Sequence, residues 1–146
     1  PSDIEVIGIT KAYTTRVGNG PFDTELPDDS ETSNILVEKG NEFGTVTGRK
    51  RRCGWLDLDQ LIYTNMLNGY TCLALTKADV MCGLEKVIVK YSNKEIELDG
   101  WKCLIEIDGS LNRNFNRYVN MIEDLTGINV KYVSYSPNRE DIIVIE

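Results

Sequence analysis

Thr71-Cys72-Leu73-Ala74-Leu75-Thr76 is a short apolar run bounded by turn signals, with Gly69 before it and Lys77-Ala78-Asp79 after it. Such a run reads as a buried strand. Just ahead of it, Asp57 to Asn68 carries Leu58, Leu61, Ile62, Met66 and Leu67 at helical spacing, with Asp57 and Gln60 placed as a capping box and Gly69 just past the end. Helices interleaved with short buried strands predict an α/β architecture, and the rest of the chain continues the alternation.

Towards the N-terminus, Glu5 to Tyr13 alternates apolar and polar residues and predicts a strand. It feeds Thr14 to Phe22, where Gly18, Gly20 and Pro21 mark a tight loop. Asp23 to Asn34 is acidic and rich in turn formers, which predicts an exposed, mobile connection. Asn41 to Arg52 is a glycine- and threonine-bearing loop ending in the cations Arg49-Lys50-Arg51-Arg52. Towards the C-terminus, Val87 to Tyr91 and Glu95 to Leu98 flank Ser92-Asn93-Lys94 as an edge hairpin. Phe115, Tyr118, Val119, Ile122 and Leu125 mark a second amphipathic helix that stops at Gly127, and Asn129 to Ser134 and Asp141 to Ile145 supply two last strands.

One compact domain, or part of a larger one, fits 146 residues of which 41% are apolar. Lys and Arg number 16 against 23 Asp and Glu, and the net charge of −7 repels nucleic acid and anionic membrane over most of the surface, so neither is an expected partner. The chain has no histidine, which removes imidazole metal sites, Ser-His-Asp and Cys-His triads and the commonest general base near neutral pH. Any proton chemistry falls to carboxylates, Lys, Tyr or Cys, or lies outside the chain. Cys53, Cys72, Cys82 and Cys103 include no C-x-x-C pair and read as reduced, mostly buried thiols. No run approaches the roughly 20 apolar residues of a membrane span. Pro1-Ser2-Asp3 is polar and opens onto a strand, unlike a signal peptide, and a chain that begins in mid-fold is expected to be a fragment.

Three stretches can carry chemistry. In Thr45-Val46-Thr47-Gly48-Arg49-Lys50-Arg51-Arg52, glycine lets the backbone approach a ligand, threonines offer hydroxyls, and the arginines supply planar forks suited to carboxylate or phosphate. The competing reading is a solvated charge run, but its place between a glycine-bearing loop and the apolar Trp55 favours a small anionic ligand. Thr76-Lys77-Ala78-Asp79 stands at the end of the apolar strand, where ligands bind in open α/β sheets. A carboxylate there can accept two hydrogen bonds from the ring N–H and amine of guanine while the Lys stem lies along the base, and an N-cap role for Asp79 is the alternative. Ser134-Tyr135-Ser136-Pro137 follows another strand, and either closes over a base or turns the chain.

Together these stretches resemble adenylosuccinate synthetase. The resemblance rests on Lys11 to Leu26 (KAYTTRVGNGPFDTEL), Gly40 to Asp57 (GNEFGTVTGRKRRCGWLD), Leu73 to Val80 (LALTKADV) and Ser134 to Pro137 (SYSP). It implies a P-loop-related nucleotide-binding synthetase fold with a central, mostly parallel sheet, of which residues 1–146 are the C-terminal part. It also implies a purine nucleotide ligase: GTP phosphorylates the 6-oxygen of inosine monophosphate, and the amino group of L-aspartate displaces that phosphate. By the same resemblance Thr45 to Arg51 form the loop that closes on aspartate, with Thr47 and Arg49 on its carboxylates. Arg49 and Val17 meet the substrate nucleotide, Arg51 the triphosphate, and Lys77, Ala78, Asp79, Ser134, Tyr135 and Ser136 the donor's base.

The family's phosphate loop, Mg2+ ligands and catalytic Asp and His are implied to lie in an N-terminal half outside this chain, so no catalytic residue and no metal ligand is expected here. The chain alone is expected to be inactive, its partner being that other half, in a cytoplasmic homodimer. Ser136 stands where the family usually has Gly, and Glu97 to Asn114 is short. Both leave open a phage-type alternative that joins L-aspartate to dGMP with ATP or dATP as donor, and a non-catalytic nucleotide-binding fragment is the further alternative.

Overall fold

The alternating stretch near the N-terminus forms two strands, β1 (Ile7–Lys11) and β2 (Tyr13–Arg16), in a computed structural model that describes residues 3–145. The break is Ala12, fully buried, whose N–H donates to the Thr76 carbonyl at 2.8 Å and whose carbonyl accepts from the Tyr118 hydroxyl at 2.7 Å. With both backbone groups satisfied, the chain leaves one sheet and enters another without burying an unpaired polar group. Apolar-polar alternation runs through Ala12 unchanged, so the sequence predicts one strand where there are two. Pro1 and Ser2, the polar start, lie outside the described residues.

β1 pairs in parallel with β4 (Cys72–Thr76), β4 in parallel with β7 (Val130–Ser134), and β8 (Ile142–Val144) closes this sheet antiparallel to β7. β2 belongs to a second four-stranded sheet. In it β3 (Arg52–Asp57) is antiparallel to β2 and parallel to β5 (Lys86–Tyr91), while β6 (Lys94–Asp99) forms the edge, antiparallel to β5. The fold is mixed α/β with one mostly parallel sheet, as expected, and beside it a mixed sheet that the sequence does not announce. In the hairpin between β5 and β6, Ser92 and Asn93 take φ of 51° and 61°, the left-handed pair that a two-residue turn requires.

Asp23 to Asn34 is not simply an exposed connection. Thr24 is buried, Glu25 bridges Gly54, and the Ser30 hydroxyl accepts from the Ser33 N–H at 3.2 Å to cap α1 (Glu31–Gly40), which ends on Asn41 in the left-handed region. α2 (Leu58–Asn68) starts with the Asp57 carboxylate accepting from the Gln60 N–H at 3.1 Å and ends at Gly69. Leu58 and Leu61 are buried, but Met66 and Leu67 are exposed, so two of the five residues of its expected apolar face stand largely in solvent. α3 (Arg113–Thr126) is capped by Asn112 and stops at Gly127, whose φ is 72°.

The core wraps Trp101, which packs against Phe115 at 5.2 Å and Tyr118 at 5.0 Å between ring centres. Its indole N–H donates to the Ala78 carbonyl at 3.2 Å, so the core reaches directly beneath the turn after β4. All four cysteines are free, and burial pushes the Cys53 and Cys82 thiols up to about 11, which keeps them protonated at neutral pH. No helix among the described residues is long and apolar enough to cross a membrane.

Candidate functional site

Parallel pairing brings the carboxyl ends of β1, β4 and β7 side by side, with Lys11 opposite Thr76 and Leu75 opposite Val133. Loops leaving those ends converge on one edge of the sheet, where an α/β fold has room for a ligand. Lys77 follows β4 with a φ of 61° and turns the chain into a 3-10 turn, Ala78–Met81. Lys77 holds the cap position and no side chain caps the turn, so Asp79 does not act as the N-cap.

Lys77, Asp79, Ser134 and Ser136 line a single cavity of about 450 Å³, together with Lys39 and Asn41 from the end of α1. The Asp79 carboxylate is half-buried and makes neither a hydrogen bond nor an ion pair among the described residues, which leaves both oxygens available to a ligand. Ala78 is fully buried beneath the cavity and contributes no side chain to it. Tyr135 does not line it either: its hydroxyl donates to Asp141 at 3.2 Å. The same carboxylate accepts from the Ser136 hydroxyl at 2.5 Å and from the Asn138 amide at 3.1 Å. These bonds, that of Ser136 foremost, hold the Asp141 carboxyl below its ordinary pKa.

The basic loop is a compact turn. The Gly44 N–H donates to the Arg49 carbonyl at 2.7 Å, the Gly48 N–H to the Gly44 carbonyl at 2.9 Å, and Thr47 Oγ1 accepts from the Arg49 N–H at 3.3 Å. Thr45 to Lys50 are exposed, and the Arg49 guanidinium has no partner among the described residues. Its neighbours differ. Lys50 reaches the Asp28 carbonyl at 2.9 Å and Asn34 Oδ1 at 3.3 Å, anchoring the loop to α1 and the segment before it. Arg51 turns inward onto Glu42 at 2.9 Å. Arg52 turns the other way, to Glu25 at 2.9 Å and to the carbonyls of Gly18 and Gly20, so it braces the loop bearing the exposed Val17. Of the arginine forks read from the sequence, that of Arg49 alone has no partner among the described residues.

Glu42 escapes the sequence reading. Its side chain is fully buried and accepts from the Tyr13 hydroxyl at 2.7 Å, from Lys11 at 3.1 Å, from Lys77 at 3.0 Å and from Arg51 at 2.9 Å. Burial alone would push its pKa up, but the bonds from Tyr13, Arg51, Lys77 and Lys11 outweigh that and hold it down at about 2. Burial, then Glu42 itself, push the Tyr13 phenol far above its ordinary range, so it remains a donor. Three cations on one carboxylate leave two net positive charges at the sheet edge, a local exception to the acidic surface. Both Lys11 and Glu42 lie in the stretches that carry the family resemblance, which is the only signal that marks them.

Among the described residues no group of three or more Cys, Asp or Glu side chains is placed to hold a metal ion.

A family model described as adenylosuccinate synthetase matches residues 1–100. The adenylosuccinate synthetase of Caldanaerobacter subterraneus is 42% identical over 96% of the chain, which spans 38% of that relative's length. A fully ligated adenylosuccinate synthetase structure from Plasmodium falciparum superposes with a TM-score of 0.87 at 32% identity, covering 98% of this chain and 40% of that one. The structure of a cyanophage S-2L succinoaminodeoxyadenylate synthetase bound to dGMP and dATP superposes with a TM-score of 0.54 at 19% identity, covering 99% of this chain and 35% of that one. This last likeness is one of fold alone.

Proposed function

The chain belongs to the adenylosuccinate synthetase family, and from that premise we propose that it is the C-terminal portion of a ligase that joins L-aspartate to the 6-position of inosine monophosphate as GTP is hydrolysed. The observation that carries this reading is the meeting of Lys77, Asp79, Ser134 and Ser136 around one cavity beside a loop with a free arginine. The unpaired Asp79 carboxylate suits the two donors on the guanine edge, which adenine lacks as a pair. Lys77 and the Ser134 to Ser136 turn enclose the base from either side.

Arg51 and the net positive charge around Glu42 suit the triphosphate, whose charge must be neutralised as phosphoryl transfer proceeds. Arg49, with Thr47 on the same exposed turn, binds the aspartate carboxylates and then reaches the substrate nucleotide, against whose ribose Val17 lies. Lys50, anchored on Asp28 and Asn34, sets the base of the loop, and Thr45, Val46 and Gly48 give it an exposed backbone. Ala78 and Tyr135 support the donor's base from beneath rather than touching it. In this reading the phosphate loop, the Mg2+ ligands and the proton-abstracting groups reside in the remainder of a longer protein, a cytoplasmic homodimer, and the present residues bind and orient.

The phage-type alternative, dGMP with ATP or dATP, has less support, because the cyanophage structure is a neighbour in fold only and Asp79 is free for guanine. The test is turnover by the full-length protein. Aspartate-dependent phosphate release and an aspartyl-nucleotide product are expected with inosine monophosphate and GTP, and to fall at least tenfold on substituting dGMP or ATP. Preference for dGMP with an adenine nucleotide would select the phage-type reaction. Nucleotide binding with no turnover on any pair would select the non-catalytic reading.

A further inference from the structure

Among the described residues, Glu42 is the one carboxylate that reaches both ends of the proposed donor site. Its Oε1 accepts from Lys77 at 3.0 Å, Lys11 at 3.1 Å and Tyr13 at 2.7 Å, while its Oε2 accepts from Arg51 at 2.9 Å and Lys11 at 3.2 Å. The cation assigned to the base and the cation assigned to the phosphates thus sit on opposite oxygens of a single group. The donors come from four places in the chain: β1, β2, the segment entering β3 and the turn after β4. Without the carboxylate, three cations gathered here would repel one another, and the exposed stems of Lys77 and Arg51 would swing apart into water. With it, each stays about a third exposed, at 29% for Lys11, 27% for Arg51 and 34% for Lys77, and keeps an outward face for a ligand.

The backbone is fitted to the same group. Lys77 holds a left-handed φ that a lysine seldom adopts, and its ammonium is tied both to Glu42 and to the Gly40 carbonyl at 2.6 Å. A Cβ on Gly40 would overlap the Tyr13 hydroxyl, so only glycine lets that phenol reach Glu42.

We propose that Glu42 is a positioning residue that fixes the separation of Lys77 and Arg51, and thereby matches the base-reading and phosphate-reading ends of the donor site to one nucleotide. This rests on the ligase reading above. A carboxylate kept only for folding would be satisfied by any donors, whereas two of the four donors here, Lys77 and Arg51, are the residues assigned to the donor nucleotide.

The test uses the full-length protein and Glu42→Gln, which keeps the shape and removes the charge. Expected is a rise of about tenfold in KM for GTP, with KM for L-aspartate changed less than about twofold. Loss of kcat with the GTP KM unchanged would make Glu42 a structural residue and overturn the inference. If the Gln variant fails to fold, Lys77→Met, Arg51→Met and the double variant are compared for GTP affinity. A shared carboxylate predicts a combined loss smaller than the product of the single losses by about threefold or more, because removing one cation lets Glu42 draw the other inward. Losses that simply multiply would overturn it. A parent protein with no GTP-dependent turnover overturns the ligase reading and this inference with it, whereas normal turnover with an unaltered GTP KM in the variant overturns this inference alone.

Discussion

Ser136 donates its hydroxyl to Asp141 at 2.5 Å and accepts the Asn138 N–H at 3.0 Å, so its side chain is engaged within its own turn. Asp141 therefore shapes the wall of the cavity proposed for the donor without lining it. Asp141→Ala frees Tyr135, Ser136 and Asn138 together, and is expected to raise the KM for the donor nucleotide about three- to tenfold while leaving that for L-aspartate unchanged. Steady-state kinetics with each substrate varied in turn checks this, and an aspartate KM that rises in step would reject it.

Arg49 has no partner among the described residues, whereas Lys50 is tied to Asp28 and Asn34. Arg49→Leu is expected to raise the KM for L-aspartate by roughly 10- to 100-fold, the worth of a charge-assisted carboxylate contact, with the protein's melting temperature unmoved. If aspartate use survives the change, the loop does not bind that substrate.

The low pKa of Glu42 predicts an acid-dependent stability. Between about 4.5, its ordinary value, and about 2, the unfolded chain binds a proton there that the folded chain does not, so stability falls as pH falls through that window. The contribution is on the order of 3 kcal/mol at neutral pH, fully present above about 4.5 and lost by about 2. Urea unfolding at stepped pH should show the difference between the parent and Glu42→Gln shrinking across the window. A constant difference from pH 6 to pH 2 would mean that the carboxylate is not held ionised by its partners.

Tyr118→Phe removes the only hydrogen bond to the Ala12 carbonyl seen among the described residues, at a site with no access to water. An unsatisfied buried carbonyl costs about 1–3 kcal/mol, which calorimetry will register as a melting temperature lower by several degrees. A shift of less than one degree would show that Ala12 finds another partner.

Much of the fold is legible because it rests on local signals. Asp57 with Gly69, and Gly127, bracket α2 and α3 as their chemistry predicts, and the apolar run at Cys72 to Thr76 is a buried strand. What escapes is non-local or weakly patterned. α1 buries only Ser33, Leu36, Val37 and Gly40, too thin an apolar face to stand out from the turn formers ahead of it. The split at Ala12 depends on Tyr118, which lies 106 positions away. Among site residues, Lys77, Asp79, Ser134 and Ser136 are visible because strand ends announce them, while the partners of Glu42 lie 9 to 35 positions from it and leave no periodic trace.

Arg51 and Arg52 are adjacent, yet one reaches Glu42 and the other the carbonyls of Gly18 and Gly20, because successive side chains of an extended backbone leave on opposite faces. Their assignment therefore depends on parity. A slip of this strand by one residue would turn its side chains to the opposite faces, taking Arg51 off Glu42 and Arg52 off the Gly18 and Gly20 carbonyls together, so one register holds both the buried carboxylate and the Val17 loop.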